Sequence, residues 1–153
     1  MFTEYTGNRQ FDLQLNRTFA PILDRVGMET IATATLPHVR STEQITALAQ
    51  SLAERFSSKG DADAAWRLYE LAAFYLGDDD PRKRSFIDAM SACFDEAHKG
   101  LTLTRHAVPY RGRELTAIRW EADPTDRAQA SEDTPRTLIM MNGFDGYAEE
   151  IID

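Results

Sequence analysis

The chain has 153 residues, of which 42% are apolar and 27% charged, a balance that fits one ordinary globular domain and excludes intrinsic disorder. Its formal net charge of −8 leaves a nucleic-acid role without electrostatic support. The one basic cluster, Arg82-Lys83-Arg84, directly follows Asp78-Asp79-Asp80 and cannot make a broad positive field; it reads as a solvated helix start.

Cys93 is the only cysteine, so an internal disulfide is excluded and zinc-type spacing is absent. No apolar run approaches the roughly 20 residues that span a bilayer. The N-terminus, Met1-Phe2-Thr3-Glu4-Tyr5, lacks the basic-then-apolar order of a secretion signal. No membrane association is expected, and the cytoplasm is the default compartment.

Leu15, Phe19, Ile22, Leu23 and Val26 recur at helix spacing, with Pro21 placed to break or kink that element, and Gly27 punctuates the chain. From Met28 to Val39 the pattern is ambiguous, since β-branched residues and Pro37 argue against a long helix. The next helix is clear. Ser41 and Gln44 have the spacing of a capping box, and Ile45, Leu48, Ala49, Leu52, Ala53 and Phe56 form one apolar stripe.

Asp61 starts a second helix with Ala62, Ala65, Trp66, Tyr69, Ala72, Ala73 and Leu76 on one face, widened by Leu68, Leu71 and Tyr75. So broad an apolar surface predicts a helix buried between neighbours, with Gly77 placed to terminate it. Asp80-Pro81 opens a third helix, Asp80 as N-cap and Pro81 at the first helical position. Its inner face is Phe86, Met90, Cys93, Phe94 and Ala97, so Cys93 reads as a small core residue. His98 and Lys99 suit the negative end of the dipole, and Gly100 closes the helix.

At Leu101 the period changes from helical to alternating. Leu101 to Tyr110, a tight turn at Arg111-Gly112, and Glu114 to Trp120 predict a β-hairpin. Residues 122–135 are polar and carry Pro124 and Pro135, as an exposed loop would. Thr137-Leu138-Ile139-Met140-Met141 is an uninterrupted apolar run, suited to a strand covered on both faces of a parallel sheet. A glycine-bracketed turn, Asn142 to Gly146, leads into Tyr147 to Ile152, which reads as the beginning of a helix. A parallel neighbour needs a crossover of a dozen or more residues, so the expectation is a βαβ unit interrupted within its helix, in a truncated chain.

Three stretches carry a family resemblance. They are Ala64 to Tyr75 with Asp79-Asp80-Pro81-Arg82-Lys83, Val108-Pro109-Tyr110 through Leu115-Thr116-Ala117, and Asn142-Gly143-Phe144-Asp145-Gly146-Tyr147-Ala148-Glu149-Glu150. In their order and spacing they resemble one branch of the α/β-hydrolases, which holds the fermentation-respiration switch protein family, the bacterial 2,6-dihydroxypseudooxynicotine hydrolase and fungal hydrolases that shorten polyketide chains. The resemblance implies an α/β fold, with residues 1–100 as a helical cap or lid and 101–153 as the start of the hydrolase core: hairpin, third strand, oxyanion loop and helix start. It implies hydrolysis of an ester, or of a C–C bond next to a carbonyl, by a Ser-His-Asp triad. In a complete relative the partner is a small-molecule substrate, and the helical segments suggest a homodimer.

Residue by residue, the resemblance places the oxyanion loop at Gly143, Phe144 and Asp145, with the Phe144 N–H as donor to the tetrahedral intermediate. The alternative is that Gly143 and Gly146 simply make a tight turn. Asp145, Glu149 and Glu150 invite a reading as paired carboxylates. However, adjacent helical residues diverge by about 100°, and the helix dipole already accounts for acids in a first turn. The chain contains no G-x-S-x-G elbow, and His38, His98 and His106 have no evident partner in the sequence. P-loop, dinucleotide-binding and metal-ligand patterns are absent, so no cofactor is expected. By itself the chain should be inactive and poorly soluble. A second reading takes the helices at 41–57, 61–76 and 81–98 as a peptide-binding module presenting Trp66, Tyr69 and Phe74, although no second copy recurs at a fixed period.

Overall fold

The computed structural model describes residues 2–121, 138–141 and 147–151. It is a mixed α and β structure that divides into two compact units, Met1–Ala97 and His98–Asp153. The first is helical. Its main elements are α1 (Arg9–Phe19), α2 (Met28–Thr30), α3 (Thr42–Ser58), α4 (Ala62–Phe74) and α5 (Pro81–Ala97).

Helix α1 begins where Asn8 accepts hydrogen bonds from the N–H groups of Gln10 and Phe11. The chain before it is held to α1 by side chains. Asp12 Oδ1 accepts from the N–H groups of Tyr5 and Thr6 and from the Thr6 hydroxyl, and Asn16 exchanges hydrogen bonds with the Thr3 backbone. These donors explain why a carboxylate can lie buried at Asp12.

Leu15, Phe19 and Ile22 are buried as their spacing predicts, but Val26 is 86% exposed. Around Pro21 the chain passes from the α-helix, which ends at Phe19, into a 3₁₀ turn at Ala20–Ile22, and Gly27 beyond it has φ +87°. The helical phase is lost there, and Val26 falls on the outside. The ambiguous stretch is a chain of short helical pieces: α2, a π-helical turn at Ile31–Thr35 and a 3₁₀ turn at Leu36–His38. Met28, Ala32 and Leu36 are its buried side.

The capping box of α3 forms in full. Gln44 N–H donates to Ser41 Oγ at 3.3 Å, while Gln44 Oε1 accepts from the Ser41 N–H at 3.2 Å and from the Arg40 N–H at 2.6 Å. Asp61 caps α4 by accepting from the Ala64 N–H. Helix α4 packs against both α3 and α5, as its wide apolar surface requires, and Ala64, Ala65, Leu68, Ala72 and Ala73 are all buried. It ends at Phe74, three residues ahead of Gly77, with Tyr75 as its C-cap. Asp80 Oδ1 accepts from the Arg82 N–H at the start of α5, whose Phe86, Met90 and Phe94 are buried.

Charged contacts tie the turn before Gly27 to the start of α4, run along α4, and join α1 to α4. Arg25 meets Asp61 at 3.1 Å and Asp63 at 3.2 Å, and Arg67 meets Asp63 at 3.3 Å. Arg17 of α1 lies 3.5 Å from the buried Glu70 of α4.

In the second unit, β1 (Thr102–Tyr110) and β2 (Arg113–Glu121) form the antiparallel hairpin that the alternating pattern predicts, paired from Thr102 opposite Glu121 to Tyr110 opposite Arg113. Its two-residue turn has φ +48° at Arg111 and +75° at Gly112. Positive φ at both central positions is what a type I′ turn requires, and its twist matches the strands. Of the third strand expected at 137–141, the described part, Leu138 to Met141, is not in a sheet with β1 or β2. Among the described residues Leu138 to Met141 have no strand partner, and they are 57–87% exposed. The apolar run supplies the composition of an interior strand, but a strand exists only through partners for its backbone groups, and β1 and β2 are bonded to each other alone among the described residues. Residues Ala148–Ile151 form a 3₁₀ turn where a helix start was expected. The polar stretch 122–135 lies outside the described residues.

Candidate functional site

The residues that the sequence offers for catalysis, Gly143, Phe144 and Asp145, lie outside the described residues, as does Gly146. What the structure places is the chain immediately after them. The Glu150 carboxylate accepts from the Tyr147 N–H at 2.7 Å, and the Glu150 N–H donates to the Tyr147 carbonyl at 3.2 Å, closing the 3₁₀ turn on itself.

Glu149, its neighbour, turns elsewhere. Its Oε1 receives Arg105 Nη1 of β1 at 2.7 Å, and the residue is only 5% exposed. The two adjacent acids therefore do not form a pair. One caps the turn, and the other fastens it to the hairpin.

Arg105 carries no sequence signal for this role. It shares one face of β1 with Leu103 and Ala107, opposite Ile118 on β2. Its partner stands 44 residues away in the chain, so no local pattern announces it. A charge-assisted bond of this length to a buried carboxylate is what makes burial of Glu149 tolerable.

The remaining reactive groups have ordinary surroundings. Burial pushes the Cys93 thiol up, against the opposing effect of a Ser57 hydrogen bond. A raised thiol is the reverse of an activated nucleophile. His38 and His106 are exposed, and the Ser85 hydroxyl donates to the Arg82 carbonyl. Among the described residues no group of His, Cys, Asp and Glu is arranged to hold a metal ion. No helix among them is long and apolar enough to cross a membrane. A cleft of about 340 Å³ lies beside the start of α1, lined by Phe2, Glu4, Gly7, Arg9, Asp12 and Leu13, and brings together no nucleophile and base.

Of the aromatic residues suggested as a docking surface, Trp66 is buried, whereas Tyr69 and Phe74 are half-buried. Trp66 is 2% exposed and meets Phe94, and Tyr69 stacks at a tilt on Phe86.

Comparison with protein-family models, with curated proteins and with solved structures finds no match.

Proposed function

We propose that this chain supplies the cap and the opening of the core in an α/β-hydrolase that cleaves an ester, or a C–C bond next to a carbonyl, in a small-molecule substrate. In this reading the unit Met1–Ala97 is the cap, the β1–β2 hairpin begins the core, and Phe144 of the Gly143-Phe144-Asp145 loop donates its N–H to the oxyanion. The Ser-His-Asp triad lies outside residues 1–153, in which no nucleophile elbow occurs. Chemically, the serine adds to the carbonyl, the carbonyl oxygen gains negative charge, and a preorganised N–H stabilises that charge more than it stabilises the starting carbonyl.

The observation that supports this most is the fastening of the Ala148–Ile151 turn to β1 through Glu149 and Arg105. A helical turn tied to the hairpin directly after the glycine motif supplies an anchor downstream of such a loop. The peptide-binding reading is disfavoured by the burial of Trp66.

The test is to express the whole reading frame that contains this sequence and to assay p-nitrophenyl esters and a 1,3-diketone. Hydrolysis abolished by a serine-directed fluorophosphonate supports the proposal. The absence of a G-x-S-x-G elbow from that frame, or no turnover of either substrate class, rejects it.

A further inference from the structure

We infer that the cleft at the start of α1 binds a zwitterionic amino acid with an apolar side chain, an inference independent of the hydrolase reading. The cleft measures about 340 Å³, within the range of small-ligand sites, and is lined by Phe2, Glu4, Gly7, Arg9, Asp12 and Leu13. Asp12 is 1% exposed, and its Oδ1 receives the N–H groups of Tyr5 and Thr6 and the Thr6 hydroxyl at 3.2, 2.8 and 2.8 Å. All three donors are neutral. Among the described residues no cation pairs with this carboxylate, and its second oxygen, Oδ2, accepts nothing. Nor is Oδ2 sealed in, since the enclosed side-chain atoms left without a partner belong to Thr46, Arg55, Trp66 and Tyr75. It opens on the cleft that Asp12 lines.

Taking a carboxylate out of water is costly, and neutral donors offset only part of that cost. An ammonium in the cleft supplies the missing counter-charge. Arg9 narrows the ligand further. It lines the same cleft, is exposed, and forms no ion pair with Glu4, Asp12 or any other described residue. Two acids and a guanidinium that share a cleft without meeting are satisfied together by one molecule carrying both charges. In this assignment the α-ammonium lies between Asp12 Oδ2 and Glu4, and the α-carboxylate takes the fork of the Arg9 guanidinium.

Phe2 and Leu13 supply the apolar wall. They are 51% and 53% exposed, so a side chain seated against them removes apolar surface from water. Gly7 brings no side chain, and a Cβ there would meet nothing within 4 Å, so its backbone leaves a ligand room. The wall before α1 is fastened to the helix: Phe2 and Glu4 flank Thr3, whose N–H and carbonyl are both bonded to Asn16.

The experiment titrates the 153-residue chain with L-leucine and follows the backbone amides of residues 2–13 by NMR. Two further probes are isopentylamine, which lacks the carboxylate, and 4-methylpentanoate, which lacks the ammonium. L-Leucine should shift these amides saturably, and each analogue should bind about tenfold more weakly, the loss of one charge-assisted contact. Arg9→Gln should weaken L-leucine by about tenfold and leave isopentylamine unchanged, whereas Glu4→Gln should weaken both. Asp12 also holds the chain before α1, so these two exposed side chains carry the test in place of Asp12→Asn. The absence of a saturable shift with L-leucine overturns the inference. Equal binding of L-leucine and isopentylamine, with Arg9→Gln without effect, makes the site one for cations alone and overturns the zwitterion assignment.

Discussion

The indole of Trp66 meets the ring of Phe94 edge-on, with centroids 5.4 Å apart and planes at 85°, while the Arg67 guanidinium lies over the indole at 4.5 Å. The contact joins α4 to α5, and both rings are buried. Truncating Trp66 to alanine should lower the unfolding free energy by about 3–5 kcal/mol, the cost of a large aromatic cavity. Trp66→Phe should cost much less, because the indole N–H has no hydrogen-bond partner among the described residues. Urea unfolding of the three proteins checks this; equal stability of wild type and Trp66→Ala would show that the ring is not part of the core.

Ser41 and Gln44 satisfy one another's backbone donors. Ser41→Ala should therefore cost about 1 kcal/mol. Gln44→Ala added to it should cost less than the sum of the two single effects, because each bond depends on the same local geometry. Strict additivity in thermal unfolding would contradict the reciprocal cap.

Residues 41–97 on their own should not fold cooperatively. Leu15, Phe19, Ile22, Met28 and Leu36 all come from the first forty residues and are buried in the same core as α3 and α4. Each such side chain contributes about 1.5–3 kcal/mol by burial, which is comparable with the whole stability of a small domain. A circular dichroism melt of the fragment should be broad and featureless. A sharp transition would return the three helices to the status of a free-standing module.

Asp80 is held down to about 2, from an ordinary value of 3.8, by a side-chain hydrogen bond from Arg82 and then by the Arg82 backbone N–H. Because the folded value is the lower one, the stabilisation is complete above the unfolded value near 3.8 and is lost as pH falls through about 2. An NMR titration should find the Asp80 carboxyl still ionised at pH 3, and Arg82→Gln should move its midpoint back toward 3.8. A midpoint unaffected by Arg82→Gln would contradict the assigned cause.

The hairpin turn can be tuned at either central position. Gly112 has φ +75° with nothing crowding the place of a Cβ, so Gly112→Ala should cost about 1 kcal/mol purely through the backbone. Arg111, at φ +48°, should gain a few tenths of a kcal/mol on replacement by asparagine, which tolerates that region better. Cross-strand contacts between Val108 and Leu115, compared across the variants by NMR, report the order of hairpin populations.

What the sequence revealed was local. Ser41 with Gln44, Asp80 with Pro81, and the change of period at Leu101 are signals whose whole physics lies within a few residues, and each stands in the structure as read. The wide apolar surface of α4 also told correctly that it would have neighbours on more than one side. Features that depend on distant partners were hidden. Asp12 and Glu70 look like surface acids until Thr6 and Arg17 are placed beside them. Val26 matches a helical stripe that the turn after Pro21 removes. Leu138 to Met141 have the composition of an interior strand, but composition cannot supply the strands on either side. At the candidate site, Glu149 and Glu150 were legible as a turn-opening pair of acids, whereas Arg105, 44 residues earlier, was not.

Helix α4 owes its central place to Ala64, Ala65, Ala72 and Ala73, whose methyl groups are wholly enclosed. An extra methylene at any of them would have to push a neighbouring helix outward, and overpacking of this kind costs about 1–3 kcal/mol. These four positions are thus a filter on drift. Surface and loop substitutions escape this constraint, whereas a larger side chain at any of the four has to be matched by a smaller one across the helix contact.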